Sequence, residues 1–167
     1  FTPPEESSNI TSQQPHNREA EEAVLGAVLI YPEVYFELAQ KLKSEDFYII
    51  RNRWVWEAFS SLIERRQNID LLTVSAALNE KNHLDEIGGT PYLTTLINQT
   101  PTSLHAQAYA EVVEENAMRR RMLEAANQLA QHAYDRGKSI NTLLDEAEKS
   151  VFRSEEHTSE LQSRQSI

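Results

Sequence analysis

Three kinds of residue cluster in this 167-residue chain carry side chains suited to chemistry. Gly137-Lys138-Ser139 reads like the end of a phosphate-binding loop, in which backbone N–H groups cradle phosphate and the lysine neutralises it. Such a loop needs a Gly five positions before its last Gly and a strand ahead of it. His132 stands there instead, inside a run of helical composition. A helical turn explains all three residues, with Gly137 stopping one helix and Ser139 capping the next. Arg119-Arg120-Arg121 is the dense basic run. Successive helical residues advance by about 100°, so three adjacent guanidinium groups fan around a helix and make no flat phosphate stripe. Pairing of Arg119 and Arg120 with Glu115, Glu124 or a neighbouring copy is expected instead. The carboxylate pairs Glu21-Glu22 and Glu114-Glu115 are expected on solvent faces. The five histidines (16, 83, 105, 132 and 157) include no pair at i, i+3 or i+4, and there is no Cys to join them, so no metal-ligand set emerges. No nucleophile motif appears. Taken by themselves these residues describe a helical scaffold or interaction domain, with no catalytic, cofactor or metal residue.

Composition narrows the class further. The 16 basic and 26 acidic residues leave a net charge of -10, which disfavours a non-specific grip on nucleic acid or anionic lipid. The absence of Cys rules out disulfides and thiolate chemistry. The longest apolar run, residues 23–31, is interrupted by Gly26 and falls far short of the roughly 20 residues that cross a bilayer, so no membrane partner is expected. Only 4 Gly and 6 Pro are present, few for a chain of tight β-turns. The chain opens on Phe1 rather than Met and reads as a piece of something longer.

The elements that must position these residues are helical. Residues 1–16 are polar and aperiodic and read as a disordered arm; residues 17–102 read as a helical globule, and residues 103–152 as a helical hairpin. Asn17 is the expected N-cap of a first helix whose inner face is Ala23, Val24, Ala27 and Val28. Val34, Leu38, Ala39 and Leu42 mark a second. Residues 50–66 carry Trp54, Val55, Ala58, Phe59, Leu62 and Ile63 on one stripe, with Trp54 the expected core anchor. Asp70 or Thr73 caps a fourth helix, residues 84–89 form a turn, and Thr90-Pro91 reads as cap and first helical residue of a fifth. From Leu104 a run without Gly or Pro predicts one helix of about 30 residues, some 45 Å long. That exceeds the small bundle before it, so the far half needs another partner. Ile140, Leu143, Leu144, Ala147 and Val151 give the returning helix one apolar face. The fold class is therefore all-α: a compact helical bundle followed by a projecting antiparallel helical hairpin. Residues 153–167 lose the apolar period and are expected to break that helix after Phe152; residues 153–163 resemble a translated sequencing adapter, and the whole stretch 153–167 is set aside as non-native.

Seven strings, in order, carry a family resemblance. Residues 15–26 (Pro-His-Asn-Arg-Glu-Ala-Glu-Glu-Ala-Val-Leu-Gly) resemble the opening motif of the DnaB family of replicative helicases. Asp46-Phe47-Tyr48, Ile69-Asp70-Leu71 with Thr73, Ile87-Gly88-Gly89 with Tyr92-Leu93, and Thr100-Pro101-Thr102 follow. Tyr109-Ala110 with Val113, and Leu143-Leu144-Asp145 with Ala147-Glu148 and Val151-Phe152, complete the series. Two departures stand out: Leu104 to Gln107 lacks the family's usual Asn, and the chain leaves the family pattern after Phe152. The resemblance implies the N-terminal domain of a hexameric helicase that unwinds DNA at the replication fork. In that family hairpins pair, the dimers form a collar, and the collar docks primase and, in some lineages, a loader protein. ATP, Mg and DNA then belong to a C-terminal domain, and this chain would be inactive alone. The resemblance also implies a bacterial cytoplasm, with a plastid stroma as the other compartment. Met122, Ala126, Leu129 and Ala133 are the candidate contacts between hairpins. The alternative is a free-standing helical adaptor or a primase-type helicase-binding domain.

Overall fold

The computed structural model describes residues 13–165, with side chains through 152. The described residues are helical and contain no strand: α1 (Arg18–Ile30), α2 (Val34–Leu38), α3 (Ile50–Glu64), α4 (Leu71–Glu80), α5 (Leu84–Ile87), α6 (Thr90–Gln99), α7 (Ala106–Tyr134) and α8 (Ile140–Gln165). Short 3-10 turns at Ser44–Asp46 and Ser103–His105 join α2 to α3 and α6 to α7.

Asn17 starts α1 as its spacing predicts, its side chain accepting the N–H of Ala20 at 2.9 Å. Asp70 rather than Thr73 caps α4, and the two exchange hydrogen bonds in a capping box. At α6 the expected cap moves back by one residue. Gly89 (φ +71°) is the N-cap and Thr90 the first helical residue, because the Gly88-Gly89 pair can occupy left-handed backbone that Thr cannot enter cheaply. Residues 84–87 within the expected turn coil into the single-turn α5.

The core lies between α1, α3, α6 and the first half of α7, with α2 and α4 closing its sides. Helices α1 and α6 cross so closely that a Cβ on Gly26 would stand 1.9 Å from Thr100 Oγ1 and 2.4 Å from the Leu96 carbonyl oxygen. Trp54 is not the anchor of this core. Trp56 is, at 1% exposure, between Tyr35, Phe47 and Phe59. The buried face of α3 runs through Asn52, Val55, Phe59 and Leu62, and α2 with the connector widens it toward Trp56; Trp54 lies on its other flank, stacked on His83.

Two further expectations fail. Pro15 and His16, assigned to the disordered arm, are docked: the Pro15 carbonyl accepts a bond from Arg120 and His16 stacks on Tyr48 at 4.3 Å. The remainder of that arm, residues 1–12, lies outside the described residues. The last helix does not break at Phe152 either, its backbone continuing to Gln165. Residues 153–165 contain no Gly or Pro and many Glu, Gln and Arg, which sustain a helix without any apolar period.

Candidate functional site: the hairpin face and its root

Helix α7 carries one buried stripe through Ala106, Ala110, Val113 and Ala117. The heptad spacing continues to Arg121, Ala125, Gln128 and His132, which are partly covered. Helix α8 packs antiparallel on that distal stretch, with Leu143, Glu146 and Ala147 partly covered and Ser150 buried. Ser139 starts α8 as its spacing predicts, its Oγ accepting the N–H of Thr142 and its carbonyl that of Leu143. Gly137 is not the stop of α7: the helix ends at Tyr134 with Asp135 as its cap, and the Gly137 N–H donates to Asp135 Oδ1. Lys138 Nζ reaches Glu146 Oε1 at 2.9 Å, and His132 Nδ1 lies 3.1 Å from Glu146 Oε2. The Glu146 hydrogen bond raises the Lys138 pKa, keeping the ammonium charged. Gly137-Lys138-Ser139 thus closes a hairpin, and the residues around it do not fit a nucleotide phosphate: the Lys faces a carboxylate and His132 lies within α7.

The four candidate contact residues sit about 100° around α7 from the α8 seam. Met122 (61% exposed), Ala126 and Ala133 face solvent, while Leu129 is half-buried at the seam's edge. Ile140, Leu144 and Val151, spaced by four and seven, stand exposed on α8, with Leu123 and Phe152 also in solvent. The hairpin therefore covers one side of each helix and leaves apolar side chains open on both.

At the root of the hairpin the basic run divides its labour. Arg119 pairs with Glu115 at 2.8 Å, as expected. Arg120 and Arg121 turn inward instead, Arg120 to the carbonyls of Pro15 (2.8 Å) and Asp46 (2.6 Å), Arg121 to Asp46 Oδ1 (2.9 Å). Burial lowers the Arg120 pKa, opposed by the Glu21 and Asp46 carboxylates. The sequence signal lay in register: positions 120 and 121 continue the buried stripe three and four residues beyond Ala117.

Glu21 shows the same lesson. It is not on a solvent face but 1% exposed, accepting the N–H of Tyr48 (2.6 Å), the N–H of Ile49 (3.3 Å) and Asn52 Nδ2 (2.9 Å). These donors stand at the start of α3, where Ile49 has no capping side chain of its own, so a carboxylate from α1 completes the helix end. Position 21 falls three and four residues before Val24 and Leu25, on the apolar face of α1. Glu22 points out and pairs with Arg18 (3.1 Å) and Arg51 (3.4 Å). Arg51 lies over the Tyr92 ring, 4.3 Å from its centroid, and the Tyr92 hydroxyl donates to Asn52 Oδ1. Burial pushes the Tyr92 pKa up to about 12, with Arg51 opposing. Arg18, Glu22, Arg51, Tyr92 and Tyr109 line a cleft of about 770 Å³ whose surface is part polar and part apolar.

The family model for the DnaB-like helicase N-terminal domain matches residues 13–115. The chain belongs to that family. The replicative DNA helicase DnaB of Haemophilus influenzae is 36% identical to this N-terminal domain over 139 residues, covering 83% of the chain and 30% of the relative. The replicative DNA helicase DnaC of Bacillus subtilis is 37% identical over 138 residues, with the same coverage of both. The chain thus spans about a third of the length of these curated relatives. The crystal structure of the DnaB N-terminal domain from Mycobacterium tuberculosis superposes with a TM-score of 0.81 at 34% identity, covering 84% of this chain and 99% of that one. A DnaB-like replicative helicase described with its interactions with primase shares the fold at TM-score 0.71 and 24% identity, covering 83% of this chain and 31% of its own. No helix among the described residues is long and apolar enough to cross a membrane.

Proposed function

We propose that this domain forms part of the N-terminal collar of a hexameric replicative DNA helicase. Copies pair through their hairpins, and the collar docks primase. A loader is a further partner. ATP, Mg and DNA are handled by the rest of the helicase, which also carries out unwinding. The supporting observation is the hairpin face: Met122, Leu144 and Val151 stand in water on a two-helix unit whose covered side is already spent on its own seam. Burying one such side chain is worth about 1.5–3 kcal/mol, so a second hairpin is a natural cover. Primase docking rests on the primase interactions named for two fold neighbours, one of them the Helicobacter pylori DnaB N-terminal domain. The bacterial cytoplasm is the compartment inferred from the bacterial relatives.

Sedimentation velocity tests the pairing. The chain should associate with rising concentration, and Leu144→Asp, which places a charge where a partner would bury it, should weaken association at least about tenfold. A strictly monomeric chain at high concentration refutes the reading. A helical globule over residues 17–102 and a hairpin over residues 103–152 remain part of the proposal, as does a non-native origin for residues 153–167. Genomic sequence beyond the Phe152 codon tests that last point: a linker followed by a Gly-x-x-x-x-Gly-Lys-Ser/Thr string supports it, and codons for the present tail oppose it.

A further inference from the structure

The hairpin leaves the globule at one place on α7. As far as Ala117 the helix is sunk into the core, and from Met122 onward its neighbours are α8 and solvent. Arg120 and Arg121 stand between. They grip two different chain segments, the Pro15 carbonyl on the segment entering α1 and Asp46 in the connector before α3. Asp46 is itself immobilised: it is buried, and its second carboxylate oxygen accepts the Lys43 N–H at 2.8 Å. The small apolar contacts at Ala106, Ala110, Val113 and Ala117 hold the first half of α7 against the core, and packing of this kind sets a helix direction only to within about 15–20°. Guanidinium donors have a fixed fork geometry, so two of them on adjacent residues restrict both rotation and bending of the helix.

The geometry points to Arg120, Arg121 and Asp46 as positioning residues that set the direction in which the hairpin projects from the globule. The consequence for pairing rests on the collar reading above. From Arg121 to the tip at Tyr134 the helix extends about 20 Å at 1.5 Å per residue, so a swing of about 15° at the root displaces the tip by about 5 Å, nearly one helical turn. A displacement of that size takes an apolar stripe out of register with its counterpart on a second copy.

The chain contains no cysteine, so Ala76→Cys on α4 and Arg136→Cys at the tip accept a pair of spin labels cleanly; both positions are exposed. Pulsed electron spin resonance, with labelled chain diluted in unlabelled chain, then reads the distance within one molecule. A single narrow distance is expected for the parent. Combined Arg120→Ala and Arg121→Ala substitution should broaden it while the helical circular dichroism signal stays unchanged. The same variant should raise the association midpoint about tenfold, the factor expected if a released hairpin spends about a tenth of its time in the pairing direction. Arg121→Lys alone should keep the distance narrow, because an ammonium can still meet the Asp46 carboxylate. Arg120→Lys should broaden it, because a point charge on a flexible stem cannot hold two carbonyls in a fork. An equally narrow distance in the double Ala variant overturns the proposal. Should that variant lose its fold, Asp46→Asn decides: its amide oxygen still accepts the Lys43 N–H, the charge facing Arg121 is gone, and an unchanged width overturns the proposal. A parent chain that never associates refutes the collar reading, and the distance measurements still judge the clamp.

Discussion

In the globule, Leu25, Phe47, Trp56, Phe59 and Leu96 are sealed from solvent; in the hairpin, Met122, Leu144 and Phe152 stand in it. Both regions are made of amphipathic helices, and the contrast comes from how many neighbours each helix has. In the globule α1 packs on α3, α6 and α7 at once, so its apolar stripe and even its Glu21 are enclosed. In the hairpin α8 has α7 as its principal neighbour, and a helix touched on one side keeps the other side open. The globule has a closed core held by specific polar contacts, and the hairpin leaves apolar side chains open on both of its helices.

The contrast can be broken or sharpened by substitution. Glu21→Ala should have the largest effect, about 3–5 kcal/mol of lost stability in chemical denaturation, because it strands the N–H groups of Tyr48 and Ile49 and the Asn52 amide in the core. A loss under about 1 kcal/mol would mean the globule does not depend on this enclosed carboxylate. Gly26→Ala should follow at about 3 kcal/mol, since the added methyl meets the Leu96 carbonyl and forces α1 and α6 apart; thermal unfolding reads it. Tyr92 yields a pH dependence. Its folded pKa of about 12 lies above the unfolded value near 10, so its contribution is complete below pH 10 and lost as pH rises toward 12. Between those limits the parent should lose about 2–3 kcal/mol more than Tyr92→Phe, and parallel alkaline titrations of the two would remove the enclosed phenol from the account. The smallest effect on a single chain belongs to the hairpin. Leu144→Asp should shift the unfolding free energy of dilute protein by no more than about 0.5 kcal/mol, because a side chain 61% exposed has little to lose without a partner.

Much of this was legible from spacing. The cap at Asn17, the length of α7, the start of α8 at Ser139 and the stripe of α1 follow from local chemistry, since each depends on residues within one or two turns. What spacing misjudged was polar residues in apolar register. Charge alone places Glu21 in solvent, although its position on α1 is an inner one; helical spacing alone offers Arg120 a neighbour on α7, although it reaches across 74 residues to Asp46 and 105 to Pro15. Trp54 and Trp56 differ by two residues, and only the arrival of Tyr35 and Phe47 from other elements decides which is enclosed.

By itself the sequence determined that this protein is helical, where its helices begin and turn, and to which family it belongs, because helix formation and motif order are properties of neighbouring residues. Only the tertiary structure decided which charges are buried and which apolar residues remain open. Those outcomes depend on what a distant segment brings to a face: the α3 N-terminus to Glu21, Asp46 to the root of the hairpin, and at Leu144 and Met122 nothing from this chain among the described residues.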